Sequence, residues 1–133
     1  MTLELHATPE EVMRAVDALQ AFGQARQIGE NTLFGLALAL EECGSNIVNH
    51  ALRHDAQQTF RVTIEYTGTA LVIELRDHGP AFDPTQASAV GNETTDDQPP
   101  GGWGIHLVRR YTDEIRYARE GGENLLRLSR KLN

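Results

Sequence analysis

Glu42 and Asn46 stand four residues apart in Glu42-Cys43-Gly44-Ser45-Asn46, followed by Asp77-His78-Gly79 and then by Gly102-Trp103-Gly104. On a helix the first pair projects side by side. That sets a carboxylate suited to proton transfer beside an amide oxygen suited to a hard cation such as Mg2+. An Asp at a strand end can accept a hydrogen bond from the exocyclic amino group of adenine. A glycine two residues later lets the backbone approach the ring without a Cβ in the way. Gly101-Gly102-Trp103-Gly104 leads into an expected helix, whose unpaired N–H groups and partial positive charge suit phosphate oxygens. Together, order and spacing point to a pocket for Mg-ATP. Singly, each motif reads more simply as a solvated helix face, an Asp-x-Gly turn, or the end of a loop.

These side chains need elements to hold them. Leu3 to His6 alternate as a short strand, and Thr8, Pro9 and Glu11 make an N-cap, a first helical position and a capping box. Val12, Val16 and Leu19 continue that first helix towards Phe22. After a polar break at Gln27 to Asn31, a second helix is expected to about Leu52, with an apolar stripe at Leu33, Leu36, Ala37, Leu40, Ile47, Val48 and Ala51. Glu42, Asn46, Asn49 and Arg53 fall on its opposite side, where Leu38 hints that something covers it. Phe60, Val62, Ile64 and Tyr66 alternate with polar residues, Thr67-Gly68-Thr69 turns, and Ala70 to Arg76 returns as a partner strand ending at Asp77.

From Pro80 to Gly101 there are four prolines, acidic residues at Glu93, Asp96 and Asp97, and no regular period. A loop this long inside a compact domain is uncommon and reads as a lid. Trp103 to Tyr111 is then a short helix, Glu114 to Ala118 a strand, Gly121-Gly122 a turn and Leu125 to Leu132 a last strand. The order predicts an α/β two-layer sandwich with helices on one face of a mixed, mainly antiparallel sheet.

With 133 residues the chain suffices for one domain, spanning 1–133, and not for two. A net charge of −7 argues against general affinity for nucleic acid or anionic membranes, so phosphate must be held locally. A single cysteine, Cys43, excludes an internal disulfide. Neither a signal sequence nor a run of about 18 apolar residues is present, which makes the cytoplasm the expected compartment. The five histidines show no zinc-type spacing with Cys43, and no Gly-x-Ser-x-Gly elbow occurs, so zinc-enzyme and serine-hydrolase classes have little support.

Glu42-x3-Asn46-x3-His50, Asp77-x-Gly79 and Gly102-x-Gly104 resemble the N, G1 and G2 boxes of the GHKL ATPase superfamily. Within it the chain resembles the small serine-protein-kinase anti-sigma factors, over nearly its full length. Asp77-His78-Gly79-Pro80-Ala81-Phe82-Asp83-Pro84 and Gly101 to Arg110 both look like that subfamily's forms. The resemblance implies the Bergerat (histidine-kinase-like ATPase) fold, with ATP between the helical layer and a lid at about 80–101. It implies Glu42 as the catalytic carboxylate, Asn46 as the Mg2+ ligand and Asp77, with Gly79, as the adenine reader. Gly102, Trp103, Gly104, Ile105, His106 and Leu107 would cradle phosphate, and His50, Ala81 and Ile105 would line the pocket. Such proteins phosphorylate a serine on a STAS-domain anti-anti-sigma partner and otherwise sequester a sigma factor. A homodimer is implied on the same ground. Lacking a phosphoacceptor helix and a sensor or membrane segment, the chain is not expected to be a complete sensor histidine kinase.

Four departures qualify that likeness. Ala81 replaces a G1 glycine, which is tolerable at negative φ. Pro100 replaces a G2 glycine and removes one N–H from the phosphate cradle. No Lys or Arg occurs between Asp77 and Val108, so the lid supplies no cation for the triphosphate. Asn124 stands where relatives often place a Thr that supports adenine recognition, and serves either that role or that of a turn residue. A regulator that binds nucleotide and acts by sequestration with little catalysis therefore stands beside the kinase reading, as does an ATPase subunit completed by another chain.

Overall fold

The computed structural model describes residues 1–86 and 100–132, and for 100–104 the backbone alone. Most of the expected lid, including Glu93, Asp96 and Asp97, lies outside the described residues. The chain runs β1 (Thr2–His6), α1 (Pro9–Ala25), α2 (Glu30–Asn46), a π-helical turn (Ile47–Ala51), β2 (Thr59–Tyr66), β3 (Ala70–Asp77), α3 (Pro100–Tyr111), β4 (Glu114–Glu120) and β5 (Glu123–Lys131). The strands form one sheet in the order β1-β2-β3-β5-β4. All four pairings are antiparallel, where a mixed sheet was expected, because each neighbouring pair joins by a hairpin or by a return across the helical layer.

Register explains both the core and the site. Directly opposed residues of antiparallel strands share a face. On the inner face one row reads Leu3, Val62, Leu75, Leu126 and Tyr117, and the next reads Ile64, Ile73, Leu128 and Ile115. These rows pack beneath α1 and α2 residues such as Leu19, Leu36 and Leu40, all fully buried. The row at the opposite end is Leu5, Phe60, Asp77, Asn124 and Arg119. A single sheet face thus changes from apolar to polar within one row.

The outer face is polar throughout most of its width. Glu123 accepts from Arg61 at 2.9 Å, lies 3.6 Å from Arg76 and meets His78 Nε2 at 3.1 Å, while Arg127 pairs with Glu74 at 2.8 Å. Burial works against ionisation of Glu123, yet Arg61, then His78 and Arg76, hold its carboxyl below the usual range. This cluster ties the ends of β2, β3 and β5 together from behind the Asp77 row.

Local signals set the helix boundaries. Thr8 caps α1, its Oγ1 accepting from Glu11 N–H at 3.2 Å. The expected capping box closes differently, because Glu11 Oε1 accepts from His6 N–H at 3.2 Å and so clamps the β1 end as well. The helix ends in a Schellman arrangement with Gln27 at φ 60°, Ile28 N–H reaching Gly23 O at 3.0 Å. That accounts for the polar break. The second helix stops being α-helical at Asn46 rather than near Leu52: Leu52 N–H bonds Ile47 O at 2.8 Å, five residues back. Arg53, at φ 51°, has already left the helix and the face it was expected to share.

Helix α3 lies against α2 through Gly35, where a Cβ would come within 2.3 Å of Tyr111 Cδ1. The approach requires hydrogen at that position. Gly35→Ala should lower stability by about 1–3 kcal/mol, because overpacking outweighs the helical preference for Ala. Urea denaturation measures it, and most of the loss should vanish in a Tyr111→Ala background.

Candidate functional site

The site forms where the polar end row of the sheet meets the C-terminal end of α2. Asp77 is 3% exposed, and its Oδ1 accepts from Gly79 N–H at 2.8 Å and from Asn124 Nδ2 at 2.9 Å. Its Oδ2 has no hydrogen-bond donor among the described residues. Burying a carboxylate is costly unless donors meet it. Two donors on one oxygen meet part of that cost and leave the other oxygen as an acceptor for something else.

Gly79 has a different reason to be glycine from the one spacing suggested. A Cβ there would come within 2.6 Å of Ala51 O and 2.9 Å of Asp77 Oδ1. The missing side chain lets the turn after β3 press against the last residue of the π-helical turn, so two separate sequence motifs become one wall. Ala81 is absent from the positive-φ residues, as its methyl requires.

Across from Asp77 stands Asn46, 5% exposed, whose side chain hydrogen-bonds no described residue. The solvated helix face that periodicity favours is therefore wrong at this position. Cys43, Asn46, Asp77, Phe82 and Pro84 line a small cavity of about 20 Å3, room for roughly one water. A purine is several times larger, so admitting one requires lining residues to shift. Phe82 stacks on His50, with ring centroids 5.5 Å apart and planes inclined by 24°. A larger groove of about 420 Å3 between Arg109 and Arg116 is open and contains none of Glu42, Asn46, Asp77 and Gly79.

Glu42, one helical turn before Asn46, is half-buried. Burial, and then the neighbouring Glu41 carboxylate, push its pKa above the usual value. Burial likewise pushes the Cys43 thiol far up, with Glu42 adding to the effect, so that thiol is inert. Among the described residues no group of three or more His, Cys, Asp or Glu side chains could hold a metal. A cation beside Asn46 would depend on phosphate oxygens and water for its other ligands, a pattern that suits Mg2+.

Other expected residues are distributed unevenly. The helix that carries Gly102, Trp103 and Gly104, α3, begins at Pro100 rather than at the expected Trp103. Ile105 is fully buried in the core, His106 is exposed and Leu107 half-buried; none lines the cavity. Ala81 is exposed and also outside that lining, where its neighbour Phe82 stands instead. Tyr117 and Arg119 were missed altogether. Their signal was present in the alternation of β4, since a turn at Gly121-Gly122 pairs Arg119 with Asn124 and puts Tyr117 two residues away on the same face.

The Glu42 environment has a measurable consequence. A carboxyl with a raised folded-state pKa opposes folding once it is ionised, and that opposition fades as pH falls through the raised value. Glu42→Gln should therefore raise Tm at neutral pH, with the gain shrinking at acidic pH. Gly79→Ala should lower Tm at every pH.

The family profile described as "Histidine kinase-like ATPase domain" matches residues 5–130. The serine/threonine-protein kinase BtrW of Bordetella bronchiseptica is 32% identical over 129 residues, covering 96% of this chain and 91% of that protein. The SiaB-SiaC complex of Pseudomonas aeruginosa contains a chain that superposes with a TM-score of 0.68 at 14% identity, over 99% of this chain and 88% of that one. The RsbU and RsbW domains of Rv1364c from Mycobacterium tuberculosis give a TM-score of 0.66 at 15% identity, over 99% of this chain but 32% of that longer chain. At such identities the two structures speak for the fold. The profile and the curated relative, together with the N, G1 and G2 boxes, go further: this chain belongs to the histidine kinase-like ATPase domain family of the GHKL superfamily, and within it is similar to a serine/threonine-protein kinase.

Proposed function

We propose that the protein binds Mg-ATP and transfers the γ-phosphoryl group to a serine of a STAS-domain anti-anti-sigma protein, sequestering a sigma factor or equivalent regulator when that partner is absent. The observation that carries this reading is the pair Asp77 and Asn46 lining one cavity, one with a carboxylate oxygen and the other with an amide that no described residue engages, one helical turn from the half-buried Glu42. In this reading they take complementary ends of a nucleotide. Asp77 Oδ2 takes the adenine amino group. Asn46 would supply an amide oxygen to Mg2+. The start of α3, with Gly102 to Gly104, offers its N–H groups to phosphate oxygens.

In this scheme Glu42 orients the partner's serine and accepts its proton as Oγ forms a bond to the γ-phosphorus. The bond from that phosphorus to the β,γ-bridging oxygen breaks, and ADP leaves. A carboxylate made more basic by burial is better suited to this than an exposed one. Likeness to BtrW, a serine/threonine-protein kinase by name, supports the reaction class. The cytoplasm is the compartment where ATP and transcriptional partners would both be met, and a homodimer would let one protein engage two partners.

A second reading keeps nucleotide binding and sequestration but discards efficient transfer. It is favoured by one observation, the lack of any Lys or Arg between Asp77 and Val108. Phosphoryl transfer depends on stabilising charge at the transferring group, and in this chain that burden would fall to backbone N–H groups and a bound cation.

Intact-mass measurement of candidate STAS-domain partners incubated with the protein and Mg-ATP separates the two readings. Transfer adds about 80 Da to the partner, the mass of one phosphoryl group, and Glu42→Gln should reduce its rate by at least about 100-fold while nucleotide binding persists. The rate should fall on acidification through a pKa above the ordinary carboxylate value, and Glu41→Gln should move that limb to lower pH. Partner binding that responds to nucleotide, without any mass gain, would establish the sequestering regulator instead.

A further inference from the structure

Leu38 lies on the polar side of α2 and is half-buried, and Phe34, one turn earlier, is 59% exposed, the most of any large apolar side chain among the described residues. Phe34, Leu38 and Glu42 follow an i, i+4, i+8 spacing and so form one ridge of the helix surface. At 1.5 Å per residue, Leu38 stands about 6 Å and Phe34 about 12 Å along the axis from Glu42. Helix α1 runs antiparallel beside this ridge, with Val12 next to Gly44 at one end and Gly23 next to Leu33 at the other. Gln20 and Gln24 of α1 line a groove of about 340 Å3 against Phe34. Met13 and Asp17 share that α1 face by their spacing, and both are exposed. The charge here is one-sided. Asp17, Glu30 and Glu41 are exposed along this surface, whereas no Lys or Arg occurs between Arg26 and Arg53. The two arginines of this helical pair are already engaged, Arg14 with Glu11 at 3.3 Å and Arg26 over the Phe22 ring.

We propose that the Phe34–Leu38 ridge of α2 is the docking surface for the protein substrate, and that its occupant is a segment of that protein with apolar side chains and Lys or Arg next to the acceptor serine. This inference rests on the phosphotransfer reading given above. A serine hydroxyl that reaches Glu42 arrives with the chain that flanks it, and an extended chain covers the distance to Phe34 in about four residues. The ridge is therefore continuous with the reacting group rather than a separate site. Phe34 and Leu38 gain by leaving water when an apolar segment covers them. The carboxylates along the same surface favour a basic segment and disfavour an acidic one. Water and small hydroxyl compounds make none of these contacts, so the ridge distinguishes a protein acceptor from hydrolysis by binding energy remote from the transferred group.

The test uses the full chain with Mg-ATP and the candidate STAS-domain proteins of the mass assay, and records transfer kinetics, calorimetric Kd for the candidate, nucleotide affinity and Tm for each variant. Phe34→Ala should raise KM and Kd for the substrate protein by about tenfold, the scale of an aromatic anchor in an interface. It should leave kcat at saturating substrate, nucleotide affinity and Tm unchanged, because the ring is mostly exposed. Glu42→Gln should do the opposite, lowering kcat while Kd holds. Asp17→Lys should raise KM several-fold at low salt, with the effect shrinking at roughly 0.5 M salt, where surface charges are screened. A Kd moved by neither Phe34→Ala nor Asp17→Lys would overturn the docking proposal and leave the kinase reading standing. A candidate that loses affinity in both variants yet gains no phosphate on wild type would overturn the kinase reading, and with it the claim that the occupant is a substrate. Binding of no candidate by wild type would overturn both.

Discussion

A carboxylate buried at the end of a β-strand must be met by hydrogen-bond donors, and much of this protein is arranged around meeting that need for Asp77. An unpaired charge in such a place costs several kcal/mol even after relaxation, as a rough scale. The donors come from two sources. The turn folds back so that Gly79 N–H reaches Oδ1, and the neighbouring strand carries Asn124 in direct register. The first demands a residue without a side chain, since Ala51 O already occupies the space. The second demands a register across β3, β5 and β4 that the Gly121-Gly122 turn helps set, both glycines lying at positive φ. A slip by one residue would turn Asn124 to the outer face and leave the carboxylate short of a donor.

The helical layer supplies the facing wall through a complementary irregularity. An uninterrupted α-helix to Leu52 would keep its residues in constant phase. The widened turn at Ile47–Ala51 changes that phase just after Asn46 and brings Ala51 O against Gly79. It also sends His50 out to stack on Phe82, so the helix end touches the first residues of the expected lid. Both walls therefore belong to regular elements braced by the core, and the half-buried Phe82 and the buried Pro84, where a helical turn begins, complete the cavity lining.

Electrostatics divide the surface accordingly. Positive charge near the site is committed to structure: Arg119 to the Gly79 carbonyl and Asn124, Arg61 and Arg76 to Glu123. Against an overall charge of −7, the triphosphate recognition proposed above would fall to backbone N–H groups and a cation. Half-burial of Glu42 beside Glu41 fits the same pattern, for a carboxylate kept short of positive partners stays basic.

Much of the architecture was legible because period and punctuation are local properties. Alternation in β2 and β3, the Thr8-Pro9-Glu11 helix start, the apolar stripe of α2 and the glycine turns place nearly every described element to within a few residues. Motif spacing likewise singled out Asp77, Gly79, Glu42 and Asn46, and the structure brings Asp77 and Asn46 to one cavity. It did not supply the burial of Asn46, the π-helical turn, the role of Phe82 as the residue covering the cavity, or the saturation of Asn124 by Tyr117, Arg119 and Phe82. The amino-acid sequence by itself determined which chemical groups were available and the order of elements that carry them, since turns and amphipathic periods act over a few residues. Only the tertiary structure decided which groups are engaged and which remain open. Hydrogen-bond saturation is a property of residues as far apart as Asp77 and Asn124, and it exists only once β3 and β5 lie side by side.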